Sequence, residues 1–213
     1  MNTVAAMEWR YAVKKFDNKR ILSPEKIEIL KKAFQLTPSS SGLQPNRLVI
    51  VQDKALQKRL EKHSYYQKQV ATASHLLIFC IETSVDTDYI KQKFELEMEI
   101  RKTPEEIIRP FRENLIRDFK GKASEEKELW AINQVYLAMG NLLGICAFEK
   151  IDACPMEGFD TAKYDEELHL HEKGLKAILA MPIGYRANDD VFAGFKKVRR
   201  PLEEVIIEWK DQT

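Results

Sequence analysis

The stretch that most constrains this chain is residues 129–148, which carries no charged side chain. At ~1.5 Å rise per residue, a helix of that length crosses a small domain or a bilayer. Ser124 is placed to cap its start, and Glu125 and Glu126 fall in the first turn, where the helix dipole favours negative charge. A membrane span would bury Asn133, Gln134 and Asn141 in lipid, each at a cost of order 1 kcal/mol or more. Its flanks carry no Lys/Arg-rich anchor. A helix buried in protein on most sides accounts for the same run, because its amides can find partners there. No membrane partner is therefore expected. Gly140 and Gly144 lie four apart on one face, a spacing that suits close packing within one subunit or a helix contact between two copies. The helix feeds residues 152–159. There Pro155 and Gly158 bracket Met156 and Glu157, fixing a turn with exposed backbone N–H groups.

The bulk numbers narrow the partner classes. Lys and Arg total 34 against 33 for Asp and Glu, so charge gives no sign of nucleic acid or a membrane surface. The 213 residues with 44% apolar content suit one domain over 1–213 with a sizeable core. Cys80 and Cys146 sit in apolar runs as buried thiols, and an odd count of three cysteines suggests no disulfide framework. A reducing cytoplasm fits. Glu8, Trp9 and Arg10 interrupt the N-terminus before a secretory signal can form.

Read in order, residues 2–9 suggest a short helix and residues 10–17 extended chain, with Arg10 and Lys14 on one face. Ser23 and Pro24 start a helix whose apolar stripe is Ile27, Leu30, Ala33 and Phe34. Residues 38–45 form a hydroxyl-rich loop suited to a carbonyl-bearing or polyol ligand. Residues 48–51 read as a strand, Asp53 as the cap of a helix through Leu60, and residues 65–70 as a polar-aromatic approach to a turn. Residues 75–81 read as a buried strand. A charged helical excursion over about 86–120, broken near Pro104, could offer Phe111 to a pocket as a substrate contact. A short helix over 161–168, a third strand over 177–184 and a strand-like segment over 205–209 complete the reading. His169 and His171 lack a third ligand nearby, so no metal is expected. The basic run at 196–201 lacks a wider basic surface for nucleic acid. No Ser-His-Asp or paired-carboxylate set follows from spacing.

The pieces R-Y-A-V-K-K-F-D at 10–17, P-S-S-S-G-L-Q-P at 38–45, A-S-H at 73–75, Q-V-Y-L at 134–137, G-N at 140–141, P-M-E-G-F-D at 155–160 and K-V-R-R-P at 197–201 resemble, in order and separation, the FMN-dependent nitroreductase family. The likeness is greatest to its oxygen-insensitive NAD(P)H nitroreductase and dihydropteridine reductase branch. The resemblance implies an α+β fold, a central mixed but mostly antiparallel sheet flanked by helices, and an intertwined homodimer with FMN between subunits. It assigns Arg10, Lys197 and Arg199 to the flavin phosphate, chemistry that suits a dianion held by Arg forks and a Lys point charge. It places Tyr11, Ala12 and Gln69 beside the flavin, and Lys14 near the pyrimidine edge of its ring as the catalytic cation. Ser39, Ser40 and Ser41 would come from the partner subunit. Pro155, Met156, Glu157 and Gly158 would pass along the ring, with the Glu157 N–H aimed at N5.

The chain departs from the family pattern at Ala12, where a serine is usual, at Asn46, where a tryptophan is common, at Tyr66, where an asparagine is common, and at Gln69, where the nearest relatives carry lysine. Lys14 is then the main cation at the ring. The implied activity is NAD(P)H oxidation coupled, by ping-pong hydride transfer, to reduction of nitroaromatic, quinone or related small-molecule acceptors. A flavin or dihydropteridine reductase, or an FMN-binding protein without turnover, are the alternatives.

Overall fold

A computed structural model of the chain describes residues 2–210. Its elements are α1 (Thr3–Trp9), α2 (Pro24–Gln35), β1 (Asn46–Val51), α3 (Lys54–Lys62), α4 (Gln69–Thr72), β2 (His75–Glu82), α5 (Thr87–Arg101), α6 (Glu105–Gly121), α7 (Ser124–Phe148), β3 (Asp152–Ala153), α8 (Thr161–Glu167), β4 (Leu175–Gly184) and α9 (Leu202–Val205). The strands form one sheet in the order β1-β2-β4-β3, and each ladder is antiparallel. A single parallel bridge joins Ala12 to Ala153 beyond the β3 edge. The expected α+β architecture is present, and its parallel component shrinks to one bridge because residues 10–14 touch β3 at one point.

β2 is buried on both faces. Leu77, Phe79 and Ile81 cluster with Leu30 of α2 and with Val135, Ala138 and Leu142 of α7. Leu76, Ile78 and Cys80 cluster with Leu60, Val70, Phe159 and Tyr164 across the other face. The split follows the two-residue period of a strand, and the continuous apolar run is what cover on both faces requires. Ser23 and Asp53 cap α2 and α3 as their positions suggest.

α7 is the one helix among the described residues long and apolar enough, by length and composition, to cross a membrane. Its buried stripe lies instead on the sheet. Gln134 accepts the Ser40 N–H at 2.9 Å and donates to the Trp130 carbonyl at 3.0 Å. Asn141 donates to Thr37 Oγ1 at 2.8 Å and to the Ala33 carbonyl at 3.3 Å. These amides find their partners in protein, as the sequence argument requires.

Several boundaries differ from expectation. Ser124 does not cap α7. The cap position is Ala123, whose N–H is accepted by Glu126 Oε2 at 2.8 Å, so a carboxylate reaching back ties the start. Residues 152–153, expected within the loop, pair with Gly184 and Ile183 as β3, so the strand expected third is the fourth. Residues 65–70, expected as the approach to a turn, lead at Gln69 into the one-turn helix α4. Residues 205–209 are not strand-like: α9 ends at Val205 and the chain continues with Ile207 and Trp209 almost wholly exposed. No described strand pairs with this segment, and without a neighbour its backbone groups have no ladder to join. The helical excursion is as read, broken at Lys102–Pro104, with α5 and α6 packing through Ile90, Phe94, Ile108 and Phe119.

Candidate active site: a cation-lined cleft

The site begins where α1 stops. Arg10 takes an extended conformation after Trp9 and its N–H closes the last turn on the Ala6 carbonyl at 3.2 Å. The chain then runs beside β3, with the Val13 N–H donating to the Ala153 carbonyl at 3.3 Å. Two buried acids fix this run. Asp152 accepts from the Arg186 N–H at 2.7 Å and from Arg186 Nε at 2.8 Å. That guanidinium lies 4.4 Å from the Trp9 ring centroid and 4.5 Å from that of Tyr11, close enough for cation–π attraction to both. Asp190 accepts from Tyr11 Oη at 3.0 Å, from the Lys14 N–H at 3.2 Å and from the Phe192 N–H at 3.2 Å. One carboxylate thereby joins the N-terminal segment to the turn that leads into the basic run.

Past that turn, residues 195–201 bring Lys197 and Arg199 back against Arg10. Lys197 Nζ donates to the Arg10 carbonyl. Arg10, Tyr11, Ala12, Lys14, Lys197 and Arg199 line one cleft of about 390 Å³. No ion pair to Arg10, Lys197 or Arg199 is formed among the described residues. Burial and the neighbouring Arg199 pull Arg10 below its ordinary range, and burial, Arg10 and Arg199 pull Lys197 down in the same sense. Three like charges crowd one place and none is ion-paired among the described residues, although Glu8 also lines the cleft; an incoming anion would relieve their mutual repulsion. Positions 187 residues apart in sequence thus meet.

A second groove measures about 480 Å³. Pro155, Met156 and Glu157 line it with Tyr136, Met139, Gly140, Leu143 and Leu179. Met156 exchanges backbone hydrogen bonds with Ala180, at 2.8 and 3.0 Å, which extends the sheet into the loop. Glu157 follows, and its carboxylate accepts from Tyr136 Oη at 2.9 Å, a bond that holds the phenol protonated and pushes its pKa up. The Gly158 carbonyl accepts from Gln67 Nε2 at 2.8 Å. Gln69 is buried beside this loop, donating to Gln67 Oε1 at 2.8 Å and lying 3.7 Å from Met156 Sδ. Lys14, which lines the first cleft, places Nζ 3.5 Å from Sγ of Cys154, the residue before Pro155 of the groove.

Not every expected site residue joins this group within one chain. Ser39, Ser40 and Ser41 sit on the loop after α2, where Ser39 Oγ accepts the Gln44 N–H at 2.9 Å and Ser41 is left-handed at φ 53°. They line neither cavity. Phe111 packs edge-on against Phe94 at 5.7 Å and also lines neither. His169 Nδ1 lies 3.3 Å from Glu172 Oε1, and no group of three His, Cys, Asp or Glu among the described residues is placed to hold a metal. Asp190, Asp152, Arg186 and Cys154 are the residues that sequence reasoning passed over. Their partners are far away in sequence and no local spacing marks them.

The fold and the cleft together define a class: an α+β protein with a basic cleft at the sheet edge and a second, more apolar groove. The model of the nitroreductase family matches residues 7–185, and the chain belongs to that family, a family of oxidoreductases. It is 30% identical over 217 aligned residues to an oxygen-insensitive NAD(P)H nitroreductase of Salmonella typhimurium, covering 98% of this chain and 100% of that one. It is equally similar, with the same coverage, to one of Enterobacter cloacae. Among solved structures, a nitroreductase-like protein of Streptococcus mutans superposes with a TM-score of 0.83 at 23% identity, covering 97% of this chain and 98% of that one. A protein of Exiguobacterium sibiricum described as a nitroreductase in complex with FMN gives 0.83 at 18% identity, covering 99% and 98%.

Proposed function

We propose that this chain is an FMN-dependent NAD(P)H oxidoreductase that reduces nitroaromatic, quinone or related acceptors. The observation that carries the proposal is the convergence of Arg10, Lys197 and Arg199 on one cleft with none of the three in an ion pair among the described residues. The donor set fits the group: a phosphomonoester of about two negative charges suits two guanidinium forks and an ammonium. In this reading those three side chains hold the phosphate. Ala12 offers only its backbone there. Residues 155–158 and Gln69 flank the ring, and the Glu157 N–H, which donates to no acceptor among the described residues, is free for it.

FMN, when bound, supplies the two-electron exchange between a nicotinamide and an acceptor that share one place in turn. The protein's part is orientation and charge. Lys14, tethered through its backbone N–H to Asp190, presents an ammonium to negative charge gathering at the ring, a preorganised interaction worth roughly 2–4 kcal/mol in a dry site. No side chain need act as general acid if water protonates the product, consistent with the lack of a catalytic dyad in the cleft.

A homodimer completes the proposal. A Cβ placed on Gly140 or Gly144 meets nothing within 4 Å, so close packing inside the subunit does not explain these glycines. Tyr136, Leu137 and Phe148 are exposed on the same helix, and Val205, Ile206, Ile207 and Trp209 are exposed beyond the basic run. A second copy covering these surfaces would bring Ser39, Ser40 and Ser41 to the flavin and offer Phe111 to the acceptor. The test is reconstitution with FMN followed by NADH and NADPH oxidation with a quinone or a nitroaromatic. Turnover with these acceptors supports the reading. Bound FMN without turnover favours a non-enzymatic flavoprotein, and turnover with free flavin or dihydropteridine alone favours the other branch.

A further inference from the structure

We propose that Cys154 is a positioning residue for Lys14: it holds the ammonium at the cation-lined cleft, beside the start of the 155–158 loop, without neutralising it. The inference rests on the FMN reading above. Cys154 Sγ, 3.5 Å from Lys14 Nζ, is the only side-chain partner of that ammonium among the described residues, and no carboxylate lies within ion-pair distance. Both ends of the contact are fixed. The Lys14 N–H is bound by Asp190 at 3.2 Å, and the Cys154 N–H donates to the Pro182 carbonyl at 3.0 Å. The sulfur is fully buried and is also reached by the uncharged amide of Gln69.

The chemistry of the sulfur decides what this contact does. A thiol is a weak acceptor. A carboxylate in its place would bind Lys14 more firmly and cancel its charge. An aliphatic side chain would leave the four-carbon stem of Lys14 free to wander. Burial pushes the Cys154 thiol up against the opposing pull of Lys14, Gln69 and Arg10, so the sulfur stays a neutral thiol and sets no negative charge beside Lys14. The local field at the flavin ring is then set by a held, uncompensated cation.

The test compares the wild type with Cys154→Val, Cys154→Ser, Lys14→Met and the double variant Cys154→Val with Lys14→Met, each loaded with FMN. Fluorescence titration reads FMN affinity, and spectroelectrochemistry reads the midpoint potential. We expect Cys154→Val to bind oxidised FMN nearly as well as wild type. Its preference for reduced over oxidised FMN should fall about tenfold, a drop of about 30 mV for a two-electron couple. Cys154→Ser keeps an acceptor and should retain most of the preference. In the Lys14→Met background, Cys154→Val should change nothing further. An unmoved potential in Cys154→Val, or an equal drop without Lys14, overturns the role while leaving the FMN reading intact. Failure of the wild type to bind FMN overturns both. Should Cys154→Val not fold, Cys154→Ala removes the sulfur without added bulk and carries the same comparison.

Discussion

Arg199 reaches its place through the exposed residues 195–198 that follow a turn, and its guanidinium meets Arg10 from the other end of the chain. A charge-assisted hydrogen bond to phosphate contributes about 1.5–3 kcal/mol, so Arg199→Ala should weaken FMN binding about 10- to 100-fold in a fluorescence titration. An unchanged affinity would remove Arg199 from the phosphate site. Lys14→Ala should instead keep FMN and slow its bleaching by nicotinamide about 30- to 1,000-fold in stopped flow, the equivalent of roughly 2–4 kcal/mol. The depressed ionisation of Lys197 gives a pH signature. Its ammonium loses a proton at lower pH than an ordinary lysine, so FMN affinity should fall as pH rises through that point. A bound dianion favours the protonated form, so binding takes up protons in the same window. Lys197→Arg should move the fall to higher pH, and an identical alkaline profile in both proteins would deny Lys197 contact with the phosphate.

α7 carries two duties on two faces. The buried face holds Leu142 against the sheet, and Leu142→Ala should cost about 2–5 kcal/mol of stability in denaturant unfolding, as large-to-small core changes do. The open face carries Gly140 and Gly144, where added side chains meet nothing in the same chain. Gly140→Leu should therefore fold normally yet weaken the dimer, seen as a shift toward monomer in light scattering coupled to size exclusion. A wild type that is already monomeric would contradict the dimer reading. Most elements were legible because their signals are local: Ser23 and Asp53 as caps, the period of α2, the continuous run of β2. β3 was not, because two residues carry no period and pair only when β4 lies beside them. Residues 205–209 show the converse, since Val, Ile and Trp give a strand-like pattern that becomes a strand only with a partner edge.

At the scale of the molecule, the site is a product of long-range closure. The cationic cluster could be assembled from the sequence only through the family resemblance, because net charge is near zero and Arg10 and Arg199 have no local link. The network behind it, Asp152 with Arg186 and Asp190 with Tyr11 and Lys14, has no spacing signal at all and is seen only in three dimensions. The central claim is that this closure makes a site for a phosphate ester rather than for an isoalloxazine alone. Parallel titration of the apoprotein with FMN and with riboflavin tests it directly, since the two ligands differ only in the phosphate. Two or more charge-assisted contacts of about 1.5–3 kcal/mol each predict FMN binding at least about 100-fold tighter, with the advantage shrinking as salt is added. Equal affinity for the two ligands would contradict the account.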